Sequence, residues 1–552
     1  MKRRLSLVLA AAMVAASLAA CGGSSSSTAT TAAPAAPAET QAAAAETEAP
    51  AATEAAAAET EAPAAEGGFA DTIVFARPAD PADMDPTIGD DTYSTRMYHS
   101  IIPGLVQVDK DGQIIPDLAE SWEVSDDGLT WTFHLHPGLK FADGSDVSIE
   151  DWQFTFDRAK NTEESYWKYT AEPIVSVEGD SETVIITIAE ENPAFLSYLT
   201  LFNMGLQSKA HFDELGGSYD NAWPLGAGAY YVTEWAHDQY VTMDANPYYY
   251  KEGYPKTPHV KFVTVGEDNS RVMMLQSSGS DRIDLMSDLP FSSAAVTDAI
   301  DGVSVVEWPS TQQRYLVLNN QANPAFADVK VRQALMMGTD FQQLIDMCLY
   351  GYGQRSNSFL SPKQLGYNTK LPEYTYDVEG AKALLAEAGY PDGFDVTFTL
   401  RAGNALFEQI GTIIQDQWSK IGVRVNIESM DNAALRELQN NMELDMVIGT
   451  WTDDMPDPSQ LTQYLLDYET NHGFYTNWKS DACNELFAQA SKEMDDAARY
   501  ELYDQIQQIC HDEVALPSLF NANEIVAQRD AVNGFIQTPY GQYVLEDVTI
   551  AE

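Results

Sequence analysis

Apolar and polar residues alternate along Leu129–Leu135, with Leu129, Trp131, Phe133 and Leu135 on one side and Thr130, Thr132 and His134 on the other. A period of two predicts a strand buried on one face. Thr183–Ala189, Tyr240–Asp244, Val260–Val265, Tyr315–Asn319, Asp395–Leu400, Val423–Glu428 and Asp445–Thr450 also predict strands, as does Ile283–Leu289. Apolar spacings of three and four predict helices over Val331–Tyr350, Val378–Ala388, Leu406–Ile421, Ala433–Asn440, Ala482–Met494 and Ala498–Cys510. Asp377 is placed to cap the second of these, and Gly389 and Gly422 fall where a left-handed residue closes a helix. From about 370 to 450 helix and strand patterns alternate, an order that builds a parallel sheet covered by helices. Ligands of such sheets sit beyond the carboxyl ends of the strands. The loops after Leu400 and Thr450 are therefore the first places to look for a site.

The globular pattern begins only at Phe69. Residues 22–68 are almost wholly Ala, Glu, Thr, Pro, Ser and Gly, and AAAAETEAPAA occurs at 42–52 and again at 55–65. A segment so poor in large apolar side chains cannot offset its chain entropy, which predicts a disordered tether over 21–68. Before it, Lys2, Arg3 and Arg4 precede an apolar run, Leu5–Ala20, that ends in Leu18-Ala19-Ala20-Cys21. A positive start followed by an apolar run too short to span a bilayer reads as a signal peptide over 1–20. The run into Cys21 resembles the lipobox of bacterial lipoproteins. That likeness implies cleavage before Cys21, a lipid on its sulfur, and a protein held on the outer face of the cell membrane.

With 31 Lys+Arg against 83 Asp+Glu and a formal charge of −52, the chain repels phosphate backbones, which excludes nucleic acid as a partner. Cys348, Cys483 and Cys510 form neither a CxxC pair nor a cluster at metal spacing, and whether Cys483 and Cys510 pair stays open. His134 and His136 share a strand face but have no third ligand nearby. HExxH, GxSxG and P-loop motifs are missing. No enzyme, metal or cofactor is expected on these grounds.

Five segments in order carry a resemblance. They are DLAESWEVSDDGLTWTFHLHPGLKFADGSDVSIEDW (117–152), PLGAGAYYVTEW (224–235), NPYYY (246–250), RYLVLNNQANPAFADVKVRQAL (314–335) and YDVEGAKALLAEAGYPDGF (376–394). Together they resemble the family 5 bacterial extracellular solute-binding proteins, the peptide, nickel and opine binders of ABC importers. Ala227 and Ala229 stand where Thr and Pro are usual. The resemblance implies an α/β, two-lobed periplasmic-binding-protein-like fold of type II, hinged between lobes, with an extra subdomain in lobe I. Lobe I is expected at 69–308, lobe II at 309–517, and the return to lobe I at 518–552, with crossovers near Pro309–Thr311 and Leu516–Phe520. It implies a monomer that captures a short peptide by lobe closure and delivers it to an ABC permease with its ATPases. The same scaffold holding a metal chelate, an oligosaccharide or an opine is the alternative, and a surface enzyme or adhesin a remoter one.

The resemblance also marks a site. Gly449-Thr450-Trp451-Thr452-Asp453-Asp454-Met455-Pro456-Asp457-Pro458 is similar to the family segment that holds a peptide. In dipeptide-type members an Asp at the place of Asp454 pairs with the ligand's ammonium, and Asp453 is its rival by one residue. A buried ammonium needs such a carboxylate to offset its desolvation. The backbone of Thr450, Trp451 and Thr452 is expected to bond the peptide as an added strand. Arg401 falls where these members carry the Arg that receives the ligand's carboxylate, although Arg401-Ala402-Gly403-Asn404 departs from their pattern. Asp83-Met84-Asp85-Pro86 resembles an early family turn, after which Asp90 to Tyr93 is expected along the cleft; Trp451, Tyr93 and Tyr315 are candidate apolar walls.

Overall fold

The computed structural model describes residues 70–89 and 91–551. The leader, Cys21 and the tether expected over 1–68 lie outside them. Among the described residues no helix is long and apolar enough to cross a membrane.

Most of the strands fall into three sheets. A seven-stranded mixed sheet runs in the order Val303–Trp308, Glu524–Arg529, Leu285–Met286, Thr72–Arg77, His259–Thr264, Tyr240–Ala245, Tyr230–Ala236. A four-stranded antiparallel sheet takes Ala119–Val124, Thr130–Leu135, Thr183–Ile188 and Ile174–Gly179. The alternation expected at 129–135 has its physical cause there: Trp131, Phe133 and Leu135 are buried with Trp152 and Phe156 of the helix Ile149–Asn161. The third sheet has six strands in the order Gly353–Gln354, Ser518–Ala522, Gln313–Leu318, Met446–Trp451, Asp395–Arg401, Arg424–Met430. Asp395–Arg401 runs parallel to both Arg424–Met430 and Met446–Trp451, as the helix–strand order of 370–450 requires. The helix Ala405–Ser419 covers it through Phe407, Ile410, Ile414 and Trp418. The result is an α/β, two-lobed fold, with the seven- and four-stranded sheets in one lobe and the six-stranded sheet in the other.

Two expectations need correction. Val331–Tyr350 is not one helix but two, Val329–Met337 and Phe341–Cys348. The break falls at Gly338, where a Cβ would lie 2.6 Å from Ile421 Cδ1, and at Asp340, whose side chain accepts from Gln343 N at 3.0 Å and starts the second helix. The return crossing is also later than 516–520. Ser518–Ala522 finds its backbone partners on Gln313–Tyr315 and Gly353–Gln354 of the six-stranded sheet, so the chain changes sheets at Asn523.

The outward crossing, Pro309–Gln312, lies beside this return. Asn521 Nδ2 donates to Ser310 O and Gln312 O, each at 2.9 Å, and ties the two connections together. Gly393 marks another close approach: its φ is +70°, and a Cβ there would sit 1.8 Å from Gly422 O.

Candidate functional site

Arg401 ends its strand at the carboxyl edge of the six-stranded sheet, and its side chain is exposed. The chain turns through Gly403 at φ +74°, and Asn404 caps the next helix by accepting from Phe407 N at 3.1 Å. Beside it, Met446–Trp451 pairs with Asp395–Arg401 only at Phe398↔Met446 and Thr399↔Val447. Beyond that point the strands part, and Gly449–Trp451 keeps a ladder only with Gln313–Tyr315. A cavity of ≈ 370 Å³ opens in the gap, with Thr399, Arg401, Arg436, Thr450, Trp451 and Tyr464 among its walls. A second, of ≈ 350 Å³, shares Arg401, Phe407, Thr450 and Trp451 with the first and adds Arg314, Asn404 and Thr452. A third, of ≈ 170 Å³, lies where Thr452, Asp453 and Asp454 meet Thr92, Arg96, Trp167 and Phe202 of the other lobe. The run from Thr450 to Asp454 thus borders all three.

The two aspartates occupy different surroundings. Asp453 is 1% exposed; its N–H donates to Thr311 Oγ1 at 2.9 Å, and its Oδ1 accepts from Trp451 Nε1 at 2.9 Å. Burial pushes its carboxyl up to about 7, with the neighbouring Asp454 adding to the rise against the Trp451 hydrogen bond, and its Oδ2 has no partner among the described residues. Asp453 therefore links the loop to the interlobe connection and orients Trp451, whose ring packs 5.3 Å from Tyr464 and 6.1 Å from Phe474. Asp454 is half-buried and accepts from Gln460 Nε2 at 2.8 Å, an amide that also reaches Tyr169 Oη at 3.1 Å. Burial pushes its carboxyl up to about 6. Among the described residues no Lys, Arg or His pairs with either aspartate. A carboxylate held out of water without a counter-ion is a site prepared for a cation.

The facing lobe contributes a cation that sequence reading missed. Arg96 is 4% exposed and bonds Asp288 at 3.0 Å and Glu524 at 3.3 Å, with its guanidinium 5.9 Å from the Tyr93 ring. Tyr93 is half-buried; Thr92 and Thr95, rather than its own ring, face the third cavity. Tyr315 is not a cleft wall. It is fully buried, its Oη donates to Phe359 O at 2.6 Å, and it packs 5.6 Å from Phe474. Strand alternation sends its neighbour Arg314 the other way, to the second cavity. Arg436, on the helix Asn432–Asn440, carried no sequence signal at all.

The profile of the bacterial extracellular solute-binding proteins, family 5 (middle), matches residues 113–473. The chain belongs to that family. Among its relatives, the dipeptide-binding protein of Escherichia coli is 28% identical, over 87% of this chain and 95% of the relative. Heme-binding protein A of Haemophilus influenzae is 30% identical, over 79% of this chain and 84% of that one. An ABC transporter-associated periplasmic binding protein of Helicobacter pylori, solved with the peptide STSA, superimposes with a TM-score of 0.71 at 25% identity, covering 88% of this chain and 99% of its own. In this family-5 chain the loop beyond Asp454 is fixed from below. Asp457 and Arg499, 2% exposed each, form a paired hydrogen bond at 2.7 and 2.9 Å, and Gln364 Nε2 donates to Met455 O and Asp457 O at 3.1 and 3.2 Å. These bonds anchor the loop that carries Asp453 and Asp454 at the interlobe boundary.

Proposed function

We propose that this protein captures short peptides outside the cell membrane and hands them to an ABC-type permease. Asp454 receives the peptide's ammonium and Arg401 its carboxylate, while the backbone of Thr450–Thr452 bonds the peptide between them. Asp453 and Trp451 shape the wall, and Tyr93 lies behind the opposite face under Arg96. The observation that carries this reading is the pair of unneutralised charges of opposite sign, Asp454 and Arg401, on either side of a strand end whose ladder is filled on one side only. A free amino acid would leave most of that strand end unbonded, whereas a peptide supplies its own donors and acceptors. A relative crystallised with a tetrapeptide and another named for dipeptides support the same class. The crossings at 309–312 and 523 would let the lobes close on the ligand, and the permease would read the closed form.

Lobe I is assigned 69–308 and 523–552 and lobe II 309–522, an assignment that the strand pairings of 518–522 support. Cys21 is assigned the lipid that holds the protein at the membrane, with 21–68 as the tether between it and the lobes. The protein works as a monomer and carries out no chemistry on its ligand. Peptides, a nickel chelate, cello-oligosaccharides and an opine, each screened by thermal shift, test the reading; saturation at 100 times Kd adds about 2.7 kcal/mol. Stabilisation by the non-peptides alone, or peptide turnover without saturable binding, would overturn it. Mass spectrometry of the N-terminal fragment for a lipid on Cys21, lost in Cys21→Ser, tests the anchor.

A further inference from the structure

The two larger cavities carry more positive charge than one peptide carboxylate needs. Arg314, Arg401 and Arg436 line them, and among the described residues no Asp or Glu does, in a chain where acids outnumber bases 83 to 31. None of the three guanidiniums makes an ion pair among the described residues. Arg314 is half-buried and donates to Gln312 Oε1 at 2.9 Å and Gln313 O at 3.1 Å, both uncharged, and its buried Nε has no partner among the described residues. The carboxylate whose field it feels, Glu524, is bonded to Arg96. Neutral partners and an orphan donor leave these charges to be answered by whatever fills the cavities.

The cavities divide that task. Arg314 and Arg401 flank the smaller one, where the start of the 15-residue helix Ala405–Ser419 also faces inward through Leu406 and Phe407 and favours an anion. Arg401 and Arg436 flank the larger one, where Tyr464 and Tyr475, 3.3 Å apart through their hydroxyls, add polar groups to the wall. We infer that the ligand is a short peptide with an acidic side chain on its C-terminal residue: the α-carboxylate sits between Arg314 and Arg401, and the side-chain carboxylate reaches Arg436 in the larger cavity. This rests on the peptide reading above and adds to it a preference that the reading alone does not require.

Calorimetry on the purified protein tests it with Ala-Glu against Ala-Gln and Ala-Ala-Glu against Ala-Ala-Gln, pairs that differ only in side-chain charge. The Glu member of at least one pair should bind about 10-fold tighter or more, as a charge-assisted hydrogen bond provides. Arg436→Gln, on an exposed helix face, should abolish that preference; Arg401→Gln should weaken both members. Equal or tighter binding of the Gln peptides by the wild type, or a preference that survives Arg436→Gln, overturns the inference and leaves the peptide reading standing. Failure of all four peptides to bind sinks both.

Discussion

Asp454→Asn tests the central assignment because it should strengthen the empty protein while disabling it. In the folded chain burial pushes the Asp454 carboxyl from the ordinary 3.8 up to about 6. A rise of that size corresponds to a cost of about 3 kcal/mol for keeping the ionised form in place. Between those two values the folded protein holds a proton that the unfolded chain has released, so stability falls as pH rises through the window, and the cost is fully present above about 6. Asn keeps an oxygen for Gln460 Nε2 but carries no charge. The ligand-free variant should therefore be more stable than wild type at pH 8, by up to about 3 kcal/mol, and the two should converge as pH falls toward 3.8. Binding should move the other way. A free-amine peptide loses its ion partner in Asp454→Asn, at a cost of about 2–5 kcal/mol, whereas the N-acetylated peptide changes little. Affinity of the wild type for the free-amine peptide should also drop as pH falls below about 6, because protonating Asp454 removes the charge that receives it. Urea midpoints at pH 8 and pH 4.5, with calorimetry for both peptides, give all four quantities. A variant less stable than wild type at pH 8, or one binding the free-amine peptide as tightly, would refute the reasoning.

Removing Arg499 (Arg499→Met) strands Asp457 in the interior, and urea denaturation should register a loss of about 3–5 kcal/mol. Gly393→Ala pushes a Cβ onto Gly422 O at a positive φ, and should lower stability by more than about 1 kcal/mol in the same assay; an unchanged midpoint would mean the turn relaxes freely. Amidating a peptide's C-terminus should weaken its binding to the wild type by roughly 10-fold or more, and the gap between the free and amidated forms should narrow in Arg401→Ala. Equal affinities for the two forms on the wild type would remove Arg401 from the site.

Much of this fold could be read from the chain because its causes are local. The alternation at Leu129–Leu135 is a strand because every second side chain meets the same face, and the helix–strand order of 370–450 leaves a parallel sheet as its packing solution. That order alone led to the carboxyl edge where Arg401 and Thr450 sit. Local causes also explain the errors. A pattern of apolar spacings over 331–350 does not reveal that Gly338 must fit against Ile421, more than eighty residues away in sequence, so the helix break was invisible. Alternation tells that Arg314 and Tyr315 point apart but not which one meets the core.

What the sequence determined by itself is everything that neighbours along the chain can enforce: strand, helix, cap and family pattern. Tertiary structure decided the charges. Asp453 and Asp454 differ by one position, yet only packing makes one a partner of Trp451 and Thr311 and leaves the other facing Gln460 and Tyr169. Arg96 meets Asp288 and Glu524 across 192 and 428 residues, and Arg314 and Arg436 come to the same cavities as Arg401 from separate elements. The strength of a charge depends on how much water the rest of the molecule excludes around it, and that depends on which distant segments meet there.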